Sequence, residues 1–241
     1  MNRVNREADK IAKDFDVLAK TQIVHLDEIY SLVGAILVRG KNGAENDKDG
    51  VRIELATLLS NVLKSYTAAF ALLRSGWRLQ PFLCIRNSYE GLALILHLFG
   101  NWEDLPQYKS RSLKSTTTFR SAKELIPHFG RLYGDLSTQF VHIGQPYGHA
   151  QKGNTYSEDE MDLWHCLGQL ALLIWVTYQA AELVFYHYTE EKFFWSEAGE
   201  HPRPGHSQVG VGYKWNLTSD AAELKKRVFS FYQEKFSTFD E

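Results

Sequence analysis

Apolar residues recur at every third or fourth position along most of the chain, the spacing that gathers them on one face of an α-helix. In the first segment Ile11, Phe15, Leu18, Leu26, Ile29, Tyr30, Val33, Ile36 and Leu37 follow it. They predict one long amphipathic helix, or two collinear ones, ending near Arg39. Residues 40–50, GKNGAENDKDG, are polar and glycine-rich, which predicts an exposed, mobile loop.

A second helix is predicted over residues 52–74, where Leu55, Leu59, Val62, Leu63, Tyr66, Ala69, Phe70 and Leu73 form the stripe and Gly76 supplies the stop. A third, over 79–99, carries Pro81 in its first turn, where no amide is needed, and Gly100 just beyond its end. The short connector predicts an antiparallel hairpin of these two. A shorter surface helix is expected around residues 108–115. Helical spacing resumes near Ala122, is interrupted by Pro127, and runs through Ile143 to the GQPYGH breaker.

Ser157-Glu158-Asp159-Glu160 has the form of a capping box, predicting a helix over residues 158–188 that is apolar nearly all round and therefore central. Residues 196–216, with EHPRPGHSQVGVG, read as an irregular connection. A last helix is expected over 219–236, docked by Leu224, Val228, Phe231 and Tyr232. Val209 to Tyr213 shows strand-like alternation but is too short to build a sheet alone. The expected fold is all-α: one domain over residues 1–241, a bundle of about six or seven helices around the 158–188 helix.

Composition changes this picture little. With 241 residues, 44% hydrophobic and 13% aromatic, the chain can bury a core without disulfides or metals. A net charge of −2 gives no global attraction to nucleic acid or anionic membrane. The two cysteines, Cys84 and Cys166, lie in apolar stretches and read as buried thiols in a reducing compartment. The N-terminus, MNRVNREADKIAKDF, lacks the apolar run of a signal peptide, so a cytoplasmic location is expected. The apolar window 163–186 is broken by His165, Gln169, Gln179 and Glu182. It therefore reads as a helix buried in protein and not in lipid.

Chemistry-bearing residues concentrate in a few places. Arg86, Glu90 and His97 share one face of the third helix. Used functionally, Arg86 takes an anionic group while Glu90 and His97 act as acid/base or orienting residues. Used structurally, Arg86 and Glu90 pair at i,i+4 and His97 bonds to a neighbouring helix. The structural use is the commoner of the two. A second polar face gathers His128, Arg131, Asp135, Gln139 and His142 opposite Phe129, Leu132, Leu136 and Phe140. It reads first as a solvated face, and as part of a cleft if His142 and His149 meet across the GQPYGH turn. Lys109, Arg111, Lys114, Arg120 and Lys123 form a basic run that suits phosphate contacts or a plain solvated surface. His187, His201 and His206 match no common metal spacing, and no nucleotide, dinucleotide or hydrolase motif is present. No metal and no cofactor are expected.

The run ALLRSGWRLQPFLCIRNSYEGLALI, followed by RLYGDLSTQFVH, resembles bacterial helical families in which an Arg-x-x-x-Glu helix precedes a helix bearing Tyr-x-x-Leu-Ser and a histidine. The matching positions are Arg86, Glu90, Tyr133, Leu136, Ser137 and His142. More distantly the arrangement is similar to HEPN domains, helical bundles that often act as metal-independent RNases in toxin and antiviral systems. Their active sites pair an arginine and a following polar residue with a histidine four to six residues on. Arg86-Asn87 fits the start of that pattern, whereas Gly91, Leu92 and Ala93 occupy the histidine's place and His97 comes later. The resemblance implies a binding site built from Arg86, Glu90, Tyr133, Ser137 and His142. The expected function is non-catalytic binding of a ligand or protein partner, with a homodimer as one form of partnership. The alternative is an RNA-cleaving effector of stress or phage defence, in which Arg86, Glu90, His97 and His142 are the catalytic candidates.

Overall fold

The computed structural model describes residues 2–126, 128–136, 156–157, 160–197, 213–215, 222–223 and 226. Among them are eight α-helices: α1 (Asn2–Leu18), α2 (Lys20–Asn46), α3 (Gly50–Arg74), α4 (Gln80–Gly100), α5 (Leu105–Lys109), α6 (Ser115–Leu125), α7 (Phe129–Leu136) and α8 (Met161–Val184). The all-α bundle expected from the spacing is the fold. The count exceeds six or seven because two predicted helices are each divided. Ala19 separates α1 from α2, although helical hydrogen bonds from Ala19 to Phe15 and from Ile23 to Ala19 bridge the junction. The segment around Pro127 separates α6 from α7.

Helix α8 is the centre. Of its described side chains only Asp162 is exposed, with His165 and Leu172 half-buried, and α2, α3 and α4 all pack on it. One contiguous apolar core runs from Ile11 to Trp195. Its first turn differs from the capping box read in the sequence. The helix begins at Met161, and the Ser157 side chain makes no cap; the Glu160 carboxylate accepts the Ser157 amide and is held in an ion pair with Arg78. At its far end α8 stops at Val184 and gives way to a 3-10 turn, Tyr186–Tyr188.

The hairpin of α3 and α4 is antiparallel. Val62 lies against Gly91, and Ser65 accepts a hydrogen bond from Asn87, so position numbers rise on one helix as they fall on the other. Between them Gly76, at φ 88°, closes α3: its amide reaches Leu73 O at 2.9 Å and the Trp77 amide reaches Leu72 O at 3.0 Å. This is the double bond of a Schellman motif, and the left-handed backbone explains the glycine. Asp49 caps the other end of α3 by accepting the Arg52 amide at 3.0 Å. Arg52 in turn donates from Nε to Val184 O at 2.8 Å, placing a cation on the carbonyl end of α8.

The expected loop at residues 40–50 is corrected. Helix α2 continues through Gly40 and Gly43 to Asn46. The glycines are not chain breakers here; they are the positions where α2 meets aromatic rings. A Cβ on Gly40 would stand 2.2 Å from Phe185 Cγ, and one on Gly43 2.3 Å from Tyr188 Cδ1. The surface helix expected at 108–115 is also displaced, to Leu105–Lys109, and Arg111 sits at φ 59°, a left-handed residue that turns the chain into α6.

Two three-residue strands, β1 (Trp195–Glu197) and β2 (Tyr213–Trp215), pair antiparallel with Ser196 opposite Lys214. Both fall largely within the stretch expected to be irregular. Trp195 anchors the pair because its indole Nε1 donates to Gln179 O at 2.9 Å. The expected helix at 219–236 lies almost entirely outside the described residues.

Candidate functional site

Arg86 and Glu90 stand one turn apart on α4, so their side chains share a face and can pair. The Arg86 Nε–H donates to Glu90 Oε1 at 3.0 Å and lies 3.3 Å from the Tyr133 hydroxyl. That hydroxyl donates onward to Glu90 Oε1 at 3.0 Å. The three groups close a triangle in which one carboxylate oxygen accepts twice. Tyr133 reaches it because α7 is docked by Phe129, a fully buried ring edge-on to Tyr89 at 5.6 Å. Tyr133 follows Phe129 by one helical turn. From α6, Phe119 lies over Tyr133 with ring centroids 4.1 Å apart.

The site is open to solvent on one side: the Arg86 and Glu90 side chains retain 32% and 42% of their accessible surface. Hydrogen bonding to Tyr133 raises the Arg86 pKa further above its already high value, with Glu90 adding to the effect, so the guanidinium is a permanent cation. Burial pushes the Tyr133 phenol above its ordinary value, which keeps it an O–H donor across the physiological range. Both ordering contacts use Arg86 Nε. The two terminal nitrogens make no hydrogen bond among the described residues, and the guanidinium carbon lies 5.8 Å from the centroid of the Tyr133 ring.

Among the predicted residues, then, Arg86, Glu90 and Tyr133 come together. Ser137 and His142 lie outside the described residues, as do Gln139 and His149. His97 does not join them. It stands eleven positions along α4, about 16 Å at the helical rise, and it is 2% exposed. Its Nε2 lies 3.0 Å from Asp104 Oδ2 and its Nδ1 2.9 Å from Ser121 Oγ. A carboxylate only accepts, so in the neutral ring Nε2 carries the proton and Nδ1 accepts from the serine. His97 thus ties α4 to α6 and to the 3-10 turn Trp102–Asp104, the structural use weighed from the sequence.

Three participants were missed: Phe119, Asp104 and Ser121. Phe119 sits inside the basic run, where it reads as an isolated apolar residue among Ser, Thr and Lys. Asp104 stands seven positions past His97 but beyond the end of α4 at Gly100, in the turn Trp102–Asp104, and Ser121 lies on α6, so only the turn after α4 and the packing of α6 on α4 could reveal them. The basic residues Lys109, Arg111, Lys114, Arg120 and Lys123 are all exposed; Lys109 stands 4.0 Å from Glu54. Of the second polar face, His128 and Arg131 are exposed.

Among the described residues no group of three or more His, Cys, Asp or Glu is placed to hold a metal ion. Cys166 is buried and Cys84 half-buried, both as free thiols. Comparison with family models, curated proteins and solved structures gave no match, so the geometry alone carries the reading of the site.

Proposed function

We propose that this is a cytoplasmic, non-catalytic binding protein whose ligand or partner presents an anionic, planar acceptor group to Arg86. The observation that supports this is the division of labour on the guanidinium. Nε is fixed by Glu90 and Tyr133, while the two terminal nitrogens make no hydrogen bond among the described residues and the side chain keeps 32% of its surface. A side chain already ordered in this way loses little freedom on binding, which favours affinity. A carboxylate or phosphate oxygen pair matches the fork of donors, and the ring pair of Phe119 and Tyr133 offers an apolar flank.

The competing reading, a HEPN-type RNase, needs a histidine beside Arg86 to move protons. His97 is about 16 Å away along the helix and is engaged on both ring nitrogens. Of the two histidines weighed for that role from the sequence, this leaves His142, which lies outside the described residues.

Two measurements test the proposal. In thermal unfolding with millimolar phosphate, acetate or citrate, the wild type is expected to gain stability that Arg86→Ala and Arg86→Lys do not. Incubation with labelled tRNA is expected to leave the RNA intact. Absence of any Arg86-dependent shift, or cleavage of the tRNA that disappears in Arg86→Ala, would overturn it.

A further inference from the structure

Positive charge is unevenly distributed over the chain. Residues 103–131 hold six Lys or Arg against Glu103, Asp104 and Glu124, a net +3 within a protein of net −2. Asp104 is bonded to His97 and Gln107, and Lys109 stands 4.0 Å from Glu54. Arg111, Lys114, Arg120 and Lys123 are exposed and make no ion pair among the described residues. Nor are these four scattered. At about 100° per residue Thr116, Arg120 and Lys123 lie within roughly 60° of one another on α6, opposite the buried Thr118, Ala122 and Leu125. Arg111 and Lys114 stand in the turn that leads into the same helix.

We infer that this surface of α6 and the turn before it binds the phosphodiester backbone of a nucleic acid, without reading its sequence. The exposed groups select the occupant. Every exposed side chain from Lys109 to Glu124 is polar, and all but Glu124 are cations or hydroxyls, the two kinds of donor that meet phosphate oxygens. A protein partner would find no exposed aromatic or aliphatic anchor there, and a membrane no apolar face to bury. The start of α6 adds to the field. Lys114 occupies the N-cap, no side chain caps the helix, and its first turn holds no acid, so a cation sits at the positive end of the helix dipole. Alone, that placement costs stability; a phosphate group beside it turns the cost into a gain.

A single strand whose phosphates meet these four cations releases the counterions it held, so the logarithm of its binding constant should fall against the logarithm of salt concentration with a slope of about −3. Contact of this sequence-independent kind gives dissociation constants of roughly 1–100 µM at physiological salt. The surface lies on α6 and the turn before it, whereas Arg86 lies on α4. The inference therefore goes beyond the reading of the Arg86 site and does not rest on it.

Fluorescence anisotropy of a labelled oligothymidylate of about 20 nucleotides, titrated with the full chain at KCl concentrations between about 50 and 300 mM, reads both affinity and slope. Arg120→Ala with Lys123→Ala should weaken binding about tenfold near 100 mM KCl and roughly halve the slope. The helical circular dichroism should not change, because both side chains are exposed. Lys10→Ala with Lys64→Ala removes the same charge from exposed positions on α1 and α3, and should change affinity less than about twofold. No binding by the wild type at about 100 µM protein in 50 mM KCl, or an equal loss in the Lys10 and Lys64 variant, would overturn the inference. So would binding to phosphatidylserine vesicles with none to the oligonucleotide. Binding that survives the α6 changes but vanishes in Arg86→Ala would overturn it too, while leaving the reading of the Arg86 site in place.

Discussion

Gly40 and Phe185 are in such close contact that a β-carbon on the glycine would lie 2.2 Å from Cγ of the ring. Phe185 is fully buried at the end of α8, and the contact is to the base of the ring and its Cβ, not to a flexible tip. In an open helix Gly→Ala is favourable by about 0.5–1 kcal/mol. Here the added methyl forces α2 off α8, and overpacking costs about 1–3 kcal/mol. Gly40→Ala is therefore expected to lower stability by about 1–2 kcal/mol net. The same change at Gly34, where the space is open, should raise it. Urea unfolding of the two variants side by side checks the sign of each.

Glu182 carries the second prediction. Its side chain is fully buried, and its two oxygens accept the amides of Phe193, Phe194 and Trp195 at 3.0, 2.8 and 3.0 Å. Burial raises its pKa above the ordinary value, and those amides hold it back only in part. A carboxyl whose folded pKa is raised stabilises the folded state most below the unfolded value near 4.5. That contribution is lost as pH rises through the folded pKa. Unfolding free energy should accordingly decline over that interval, and Glu182→Gln should lack this component of the slope. The glutamine also turns an NH2 toward one of the three amides, so at pH 7 the variant is expected to be destabilised by about 1–3 kcal/mol. Denaturant titrations of both proteins from pH 4 to 8 separate the two effects.

These cases show which parts of the molecule the sequence could reveal. Helices α3 and α4 were legible because each has a continuous three-and-four stripe and a local signal at one end, Gly76 or Pro81, and α8 because a long run apolar nearly all round can only be buried at the centre. The extension of α2 past Arg39 was not. Gly40 and Gly43 are there for rings more than 140 positions away, and a glycine chosen for close packing looks the same in sequence as one chosen for a turn. Likewise the Arg86–Glu90 pair follows from i,i+4 spacing alone. The separation of His97 from them does not, since a shared helical face says nothing of distance along the axis or of what α6 brings to each end.

Tyr133→Phe tests how Arg86 is held. The change removes one donor to Glu90 Oε1 and one acceptor for Arg86 Nε but keeps the ring against Phe119. The site is part-exposed, so water can replace the lost hydroxyl, and the stability change is expected to stay below about 1 kcal/mol. The Arg86 Nε–H should nonetheless exchange faster with solvent, and Glu90→Gln should have a similar effect. NMR of the arginine side-chain Nε–H group reads this directly. An exchange rate unchanged in both variants would mean that the triangle does not order the guanidinium.

His97 is the point at which structure and chemistry can be told apart most sharply. Its ring is held by Asp104 on Nε2 and by Ser121 on Nδ1, and Asn101 adds a bond to the His97 carbonyl at 3.0 Å. His97→Ala would leave the serine and the carboxylate without their partner beside a cavity, a loss of about 2–4 kcal/mol. Asp104→Asn and Ser121→Ala, which each remove one bond and leave the ring packed, should cost about 0.5–2 kcal/mol. Because the two residues touch the same ring as His97, their effects should not add to it: in a double-mutant cycle of His97→Ala with Asp104→Asn, the coupling is expected to be about 1–3 kcal/mol. Nitrogen-15 spectra of the wild type should show the Nε2–H tautomer in the neutral ring, with Nδ1 as an acceptor. A nearly additive cycle, or the opposite tautomer, would mean that Asp104 does not fix the ring and that α4 and the 3-10 turn Trp102–Asp104 are joined by packing alone.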